Sequence, residues 1–248
     1  MKQKRVLLIT NFILILVLLG IGLRENYPQR IVKKMNGLFK SSPTFKDTRE
    51  YKHELGLYPY YHKKGNIVML GNSITYRANW NELLNRTDII NRGIGNDITA
   101  GFLERMDYVV QVEPEICFVM GGLNDISDGI PISETATNME QIIDVLVEHN
   151  IQPFICSTLH VTQSHKNQKE LNSKIAELNG LLKKKCQQKN IRYINLNAHL
   201  SQDNHLIPKY SFDGAHLSGL GYHRWAEVIS PIIKENIRNV ETSPILKN

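Results

Sequence analysis

Ile67-Val68-Met69-Leu70-Gly71-Asn72-Ser73-Ile74-Thr75 is the stretch whose reading decides the fold. Four apolar residues stopped by a glycine read as a short buried strand, and the polar residues after it open a helix. The same punctuation recurs downstream. Residues 88–91 form a second apolar run ending near Gly93, and residues 115–120 a third ending at Gly121-Gly122. Residues 152–157 and 192–196 supply a fourth and a fifth. Helical patterns lie between them, over 78–85, 100–112, 134–149 and 166–189, with Ser133 read as the N-cap of the third. A last helix is read over 222–237. Strands alternating with helices predict an α/β fold: a five-stranded parallel sheet covered on both faces. Ligands bind such sheets beyond the carboxyl ends of the strands. The residues just after each run are therefore where chemistry is sought.

Composition bounds the remainder. A chain of 248 residues, 42% hydrophobic and 22% charged, fits one globular domain with an appendage. The net charge of +6 is unevenly placed: residues 1–66 hold 13 Lys and Arg against 4 Asp and Glu, and the rest hold 17 against 20. The basic balance belongs to the N-terminal arm. No basic stripe interleaved with aromatics appears, which argues against a nucleic-acid partner. Three cysteines make no even disulfide framework, and no pair has metal-ligand spacing. Cys117 and Cys156 sit in apolar runs as buried thiols, while Cys186, in a Lys-rich helix, is expected at the surface.

Lys2, Lys4 and Arg5 precede an uncharged run from Val6 to Leu23. Eighteen helical residues rise about 27 Å, close to the roughly 30 Å hydrocarbon core of a bilayer. The segment over 1–23 reads as a retained signal anchor or a cleaved signal peptide. Either places the following domain outside the cytoplasm. Residues 24–66, with Pro28, Pro43, Pro59 and the cluster Tyr58, Tyr60, Tyr61, read as a connector partly packed on that domain.

Three rim features stand out. Ser73 follows the first strand at a helix start, Gly122-Leu123-Asn124-Asp125 sets an amide after the third, and Asp213-Gly214-Ala215-His216 puts a carboxylate three residues before an imidazole. Singly, each has a bland reading: a helix cap, a turn, a solvated histidine. Together, each at the expected edge of the sheet, they form an alcohol, a base and an acid.

These residues resemble the sequence blocks of the SGNH (GDSL-like) hydrolases. Val68-Met69-Leu70-Gly71-Asn72-Ser73-Ile74-Thr75 is similar to the first block, and Asn91-Arg92-Gly93-Ile94-Gly95-Asn96-Asp97-Ile98-Thr99 to the second. Gly122-Leu123-Asn124-Asp125 is similar to the third, and Asp213-Gly214-Ala215-His216-Leu217-Ser218 to the last. The resemblance runs from residue 67 to about 238. It implies a three-layer α/β/α flavodoxin-like domain over 67–240, followed by a tail over 241–248. It further implies a serine esterase with Ser73 as nucleophile, His216 as general base and Asp213 as its orienting acid. The oxyanion hole would comprise the Ser73 N–H, the Asn96 N–H and the Asn124 side-chain amide, with no metal and no organic cofactor. Two positions depart from the family pattern. Asn72 replaces the usual aspartate, though its carbonyl can still accept backbone hydrogen bonds. Asn96 stands where the oxyanion glycine falls; its contribution is a backbone N–H, and asparagine tolerates left-handed backbone, but its side chain narrows the pocket.

The substrate class this favours is O-acyl, especially O-acetyl, esters of carbohydrates. Lipid or lysophospholipid esters, an acyltransferase using the same acyl-enzyme, and a silent glycan-binding module are the other readings. Outside the blocks, His160 has two readings, a residue lining the pocket mouth or a turn histidine, and the turn histidine is the better one. His199, His205 and His223 are expected to be structural or exposed, and Lys183-Lys184-Lys185 a solvated helix end.

Overall fold

The computed structural model describes residues 45–237. The expected apolar helix over 1–23, the connector as far as residue 44 and the tail over 241–248 lie outside the described residues. Among the described residues, no helix is long and apolar enough to cross a membrane.

Five strands form the sheet: β1 (Ile67–Gly71), β2 (Ile89–Gly93), β3 (Ile116–Met120), β4 (Gln152–Cys156) and β5 (Arg192–Ile194). All pair in parallel, in the order β2-β1-β3-β4-β5. β1 and β3 are buried along their whole length, which is why they read as unbroken apolar runs rather than alternating ones. The helices, in chain order, are α1 (Arg49–Leu57), α2 (Ser73–Tyr76), α3 (Trp80–Leu83), α4 (Thr99–Glu104) and α5 (Asp107–Val110). They continue with α6 (Leu123–Ser127), α7 (Ile132–Glu148), α8 (Gln168–Gln188), α9 (Asn197–Leu200) and α10 (Gly219–Asn236). α4, α7 and α8 pack together, while α3, α9 and α10 form a separate group. Chain direction across the sheet reverses between β1 and β3, the point where open α/β sheets leave a crevice. Ser73 and Asn124 follow those two strands.

The compact unit starts at Phe45, upstream of the first strand. Thr48 caps α1 by accepting from the Tyr51 N–H, and α1 buries Tyr51. Tyr58 is buried just after it, and Tyr51, Tyr58 and Ile94 form a small cluster of their own. The Arg92 guanidinium lies 4.7 Å from the centre of the Tyr58 ring. The tyrosines of the arm thus cover the end of β2.

Several expectations are corrected. The helix read over 78–85 shrinks to α3, because Asn79 caps its start by accepting from the Glu82 N–H and Asn85, at φ +50°, turns the chain out of the helix. The helix over 100–112 breaks into α4 and α5 at Arg105, whose side chain turns into the core. Ser133 is not the N-cap of α7; Pro131 is, and its carbonyl accepts from the Glu134 and Thr135 N–H groups. Cys186 is buried at 1% exposure, on the same stripe of α8 as Leu178 and Leu182. Lys185 pairs with Glu140 of α7 at 2.5 Å rather than facing solvent alone. A hairpin, β6 (Ser201–Gln202) with β7 (His205–Leu206), turns on Asp203 and Asn204, both at positive φ. Two-residue strands carry no alternation for a sequence reading to detect.

Candidate active site

The turn that bears Ser73 follows directly from the end of β1. Asn72 is extended, and its Oδ1 accepts from the Ile74 N–H at 3.0 Å, so asparagine makes the cap there. Ser73 takes the first helical position. α2 is a single turn, so what it offers a ligand is the N–H itself and little of a long-helix dipole. Neighbouring elements pin this turn. The Tyr222 hydroxyl donates to the Ile74 carbonyl at 2.7 Å, and Trp80 Nε1 donates to the Thr75 carbonyl at 2.9 Å. Asn91, which grips three carbonyls with Nδ2, also accepts from the Gly93 N–H at 2.8 Å. A side chain on Gly93 would collide with the backbone of Tyr76. β2 and the turn that bears Ser73 therefore touch main chain to main chain.

The structure brings Ser73, His216 and Asp213 into one chain of hydrogen bonds. Ser73 Oγ lies 2.9 Å from His216 Nε2, and His216 Nδ1 lies 2.7 Å from Asp213 Oδ2. The other carboxylate oxygen accepts from the backbone N–H groups of Ala215 and His216, at 3.1 and 2.8 Å. Partial burial raises the Asp213 pKa, but these two backbone bonds and the His216 side chain outweigh it and hold it down to about 2. An ionised carboxylate at Nδ1 favours the tautomer protonated there, leaving the Nε2 lone pair facing the serine. Gly214, at φ +101°, makes the turn between Asp213 and His216, and its carbonyl accepts from the Thr162 N–H at 2.8 Å.

Asn124 and Asn96 complete the pocket. α6 begins after Gly122, which sits at φ +101°, and this turn sets Asn124 toward Ser73. One amide proton of Asn124 goes to the Asp97 carbonyl at 2.8 Å, leaving the second unused. Asn96 adopts a left-handed conformation at φ +59° and lines the same pocket. Among the described residues, neither the Ser73 N–H nor the Asn96 N–H has an acceptor. The pocket measures about 160 Å³, and its walls include Ile74, Leu123, Ser127, Ala215 and His165.

A buried polar scaffold behind this rim escaped the sequence reading. Arg105, wholly buried, donates to Asp97 Oδ2 at 2.8 Å, to the Arg92 carbonyl at 2.8 Å and to the Gly71 carbonyl at 3.0 Å. It ties the ends of β1 and β2 to the loop that bears Asn96. Burial pushes the Asp97 carboxyl up to about 6, with the Arg105 guanidinium pulling the other way. Asp125 accepts from both the backbone N–H and the hydroxyl of Thr99, fastening the start of α4 to α6. The only signals were an arginine inside an apolar helical run and two aspartates within the blocks. His160 is not at this site: it is buried and borders a different cavity. His165, which the sequence reading passed over, lines the pocket instead. His199 and His223 are exposed, and His205 Nε2 lies 2.6 Å from Gln168 Oε1. Among the described residues, no cluster of three or more His, Cys, Asp or Glu could hold a metal ion.

Comparison with known proteins agrees with this architecture. No curated protein matches the chain. Among solved structures, a candidate acylhydrolase from Bacteroides fragilis superposes with a TM-score of 0.66 at 23% identity, over 80% of this chain and 100% of that one. A GDSL-like lipase from Bacteroides thetaiotaomicron gives 0.66 at 22% identity, over 75% and 98%. An acetyl-xylooligosaccharide esterase from Geobacillus Stearmophilus gives 0.58 at 14% identity, over 73% and 99%. At these identities the likeness is one of fold. The sequence profile of the GDSL-like Lipase/Acylhydrolase family matches residues 69–224, which contain every residue of the rim just described. The chain belongs to the GDSL-like lipase/acylhydrolase family of ester hydrolases.

Proposed function

We propose that the protein hydrolyses short-chain O-acyl esters of carbohydrates, O-acetyl esters above all, through an acyl-enzyme on Ser73. His216 Nε2 takes the hydroxyl proton as Ser73 Oγ attacks the ester carbonyl, then gives it to the departing sugar hydroxyl. Asp213 holds the ring in orientation and balances the imidazolium. The oxyanion of each tetrahedral intermediate receives the Ser73 N–H, the Asn96 N–H and the free Asn124 amide proton. Water, activated by His216 in the same way, releases the acid and restores the serine.

The observation that carries the substrate class is the size and lining of the pocket. At about 160 Å³ it falls below the several hundred Å³ typical of sites for larger ligands, and seven of its ten lining residues carry an amide, a hydroxyl or an imidazole. A short acyl group fits such a space, and a polar alcohol suits such a rim. The name of one structural neighbour, an acetyl-xylooligosaccharide esterase, points the same way. The uncharged run from Val6 to Leu23 behind basic residues supports a location outside the cytoplasm, anchored or secreted.

The test is a series of p-nitrophenyl esters from acetate to octanoate, run beside acetylated oligosaccharides with acetate release measured. The proposal expects kcat/KM to fall steeply beyond butyrate and acetate to be released from the sugars. Preference for octanoate, with acetylated sugars untouched, would move the assignment to lipid esters.

A further inference from the structure

A second cavity, of about 380 Å³, opens beside β5 and shares no lining residue with the Ser73 pocket. One wall is a face of α8 that includes Gly180; opposite stand the segment after β5 and the turn of the β6–β7 hairpin. Three observations bear on its use.

The first is Gly180 itself. It sits in the middle of a 21-residue helix, where glycine weakens the helix relative to alanine. Its φ is not left-handed, and a Cβ built on it meets nothing within 4 Å. Neither packing nor backbone geometry calls for a glycine there. What the missing side chain does is leave the wall of the cavity open. The second is His160, a residue of the cavity wall that is 7% exposed and whose Nδ1, itself buried beneath the wall, has no hydrogen-bond partner. A buried polar atom left unpaired is uncommon enough in a folded protein to call for a reason. Burial, with His205 nearby, holds its pKa down to about 4, so the ring is a neutral imidazole with one donor and one acceptor. The third is the chemistry of the lining. Asn195, Asn204 and Ser201 offer donors and acceptors beside the ring of Tyr193, and the single lysine is matched by a single aspartate. Such a lining, mixing polar groups with apolar surface, favours neither a strong anion nor a strong cation.

We propose that this cavity binds one neutral sugar ring of a glycan, as a site separate from the ester-cleaving pocket. Amides and hydroxyls that both give and accept, set beside an aromatic ring, match a pyranose with its ring of hydroxyls and its apolar C–H face. One loop serves both cavities: His160 borders this one and His165 borders the Ser73 pocket, while Thr162 between them holds the Gly214 carbonyl. A polysaccharide gripped here is held by the same segment that supports the base of the hydrolytic site.

The experiment titrates the full chain, carrying Ser73→Ala, with xylotriose, cellotriose and tri-N-acetylchitotriose by calorimetry, with trigalacturonate as the charged control. At least one neutral trisaccharide should bind with Kd of about 1 mM or tighter. Gly180→Leu should weaken that binding at least about tenfold, with the melting temperature unchanged or raised. In the chain with Ser73 intact, Gly180→Leu should leave p-nitrophenyl acetate turnover unaltered. Ala176→Leu, one turn away on the same wall, should repeat the result. The proposal is overturned if no neutral trisaccharide binds, if only trigalacturonate binds, or if both leucine variants bind as the parent does. Failure of the esterase assignment would show separately, as absent turnover in the unaltered chain, and would leave these binding results standing.

Discussion

Replacing Asn124 by alanine tests its proposed oxyanion contact apart from the rest of the site. In the resting structure one amide proton of Asn124 is committed to the Asp97 carbonyl at 2.8 Å, and the other is free at the pocket wall. The free proton is the one assigned to the developing negative charge. Loss of one such donor costs about 2.7–4 kcal/mol of transition-state stabilisation, or roughly a hundred- to a thousandfold in kcat. The ester carbonyl carries little charge before attack, so KM should change by less than about threefold. The same substitution also removes one internal hydrogen bond, worth about 1 kcal/mol net. For a domain of this size that lowers the melting temperature by about 2–4 °C. Initial rates on p-nitrophenyl acetate, read beside a thermal melt, separate the two effects. Asn124→Asp is the informative companion, since it keeps the shape, supplies no N–H and sets a negative charge near the oxyanion; it should be at least as slow. A kcat within about threefold of the parent, in a protein that melts normally, would refute the reasoning. A rate loss accompanied by collapse of the melt would instead make Asn124 a structural residue.

Arg105→Met leaves the Asp97 carboxylate buried without its partner and should destabilise the fold by about 3–5 kcal/mol in urea unfolding. The double variant Arg105→Met/Asp97→Leu should recover only part of this, because the Gly71 and Arg92 carbonyls still lack their donor. Asp213→Asn should lower kcat by about 10³–10⁴ while leaving KM near its parent value, since the histidine loses the partner that fixes its tautomer. The Asp213 pKa lies below its unfolded value, at about 2. Its contribution to stability is therefore fully present above about pH 4 and is lost only as pH falls toward 2. Between pH 7 and 4.5 Asp213 should stay ionised, so the stability lost in Asp213→Asn, read from stability curves of both chains, should persist over that range and vanish only as pH falls toward 2. Asn96→Gly keeps the backbone donor at a left-handed position and removes the side chain that narrows the pocket. It should shift the butyrate-to-acetate ratio of kcat/KM upward by about tenfold, the scale of one or two methylenes accommodated.

The sheet and the rim were legible because their signals are local. An apolar run, a glycine and the next two residues fix where β1 ends and where Ser73 stands. The same holds for β3 with Asn124, and for Asp213 with His216 inside one turn. What stayed hidden depends on partners distant in sequence. Nothing near Arg105 announces that its guanidinium will join carbonyls at residues 71 and 92 to a carboxylate at 97. Cys186 read as a surface thiol because lysines surround it in sequence, whereas its place on the helix is on the Leu178–Leu182 stripe. The tyrosines of the connector pointed to partial packing on the domain, but that Tyr51 and Tyr58 are the buried ones depends on their meeting Ile94 beyond β2. The cavity beside β5 is assembled from four separate stretches between residues 160 and 204, none with a motif of its own.

The central claim is that Ser73 is made nucleophilic by His216 within the folded protein. Incubating the folded chain with a fluorophosphonate and mapping the adduct by peptide mass spectrometry tests it most directly. One adduct per chain, on Ser73, abolished by His216→Ala and by prior denaturation, is the result the account predicts. An unlabelled folded chain, or an adduct that forms equally well without the imidazole, would contradict it.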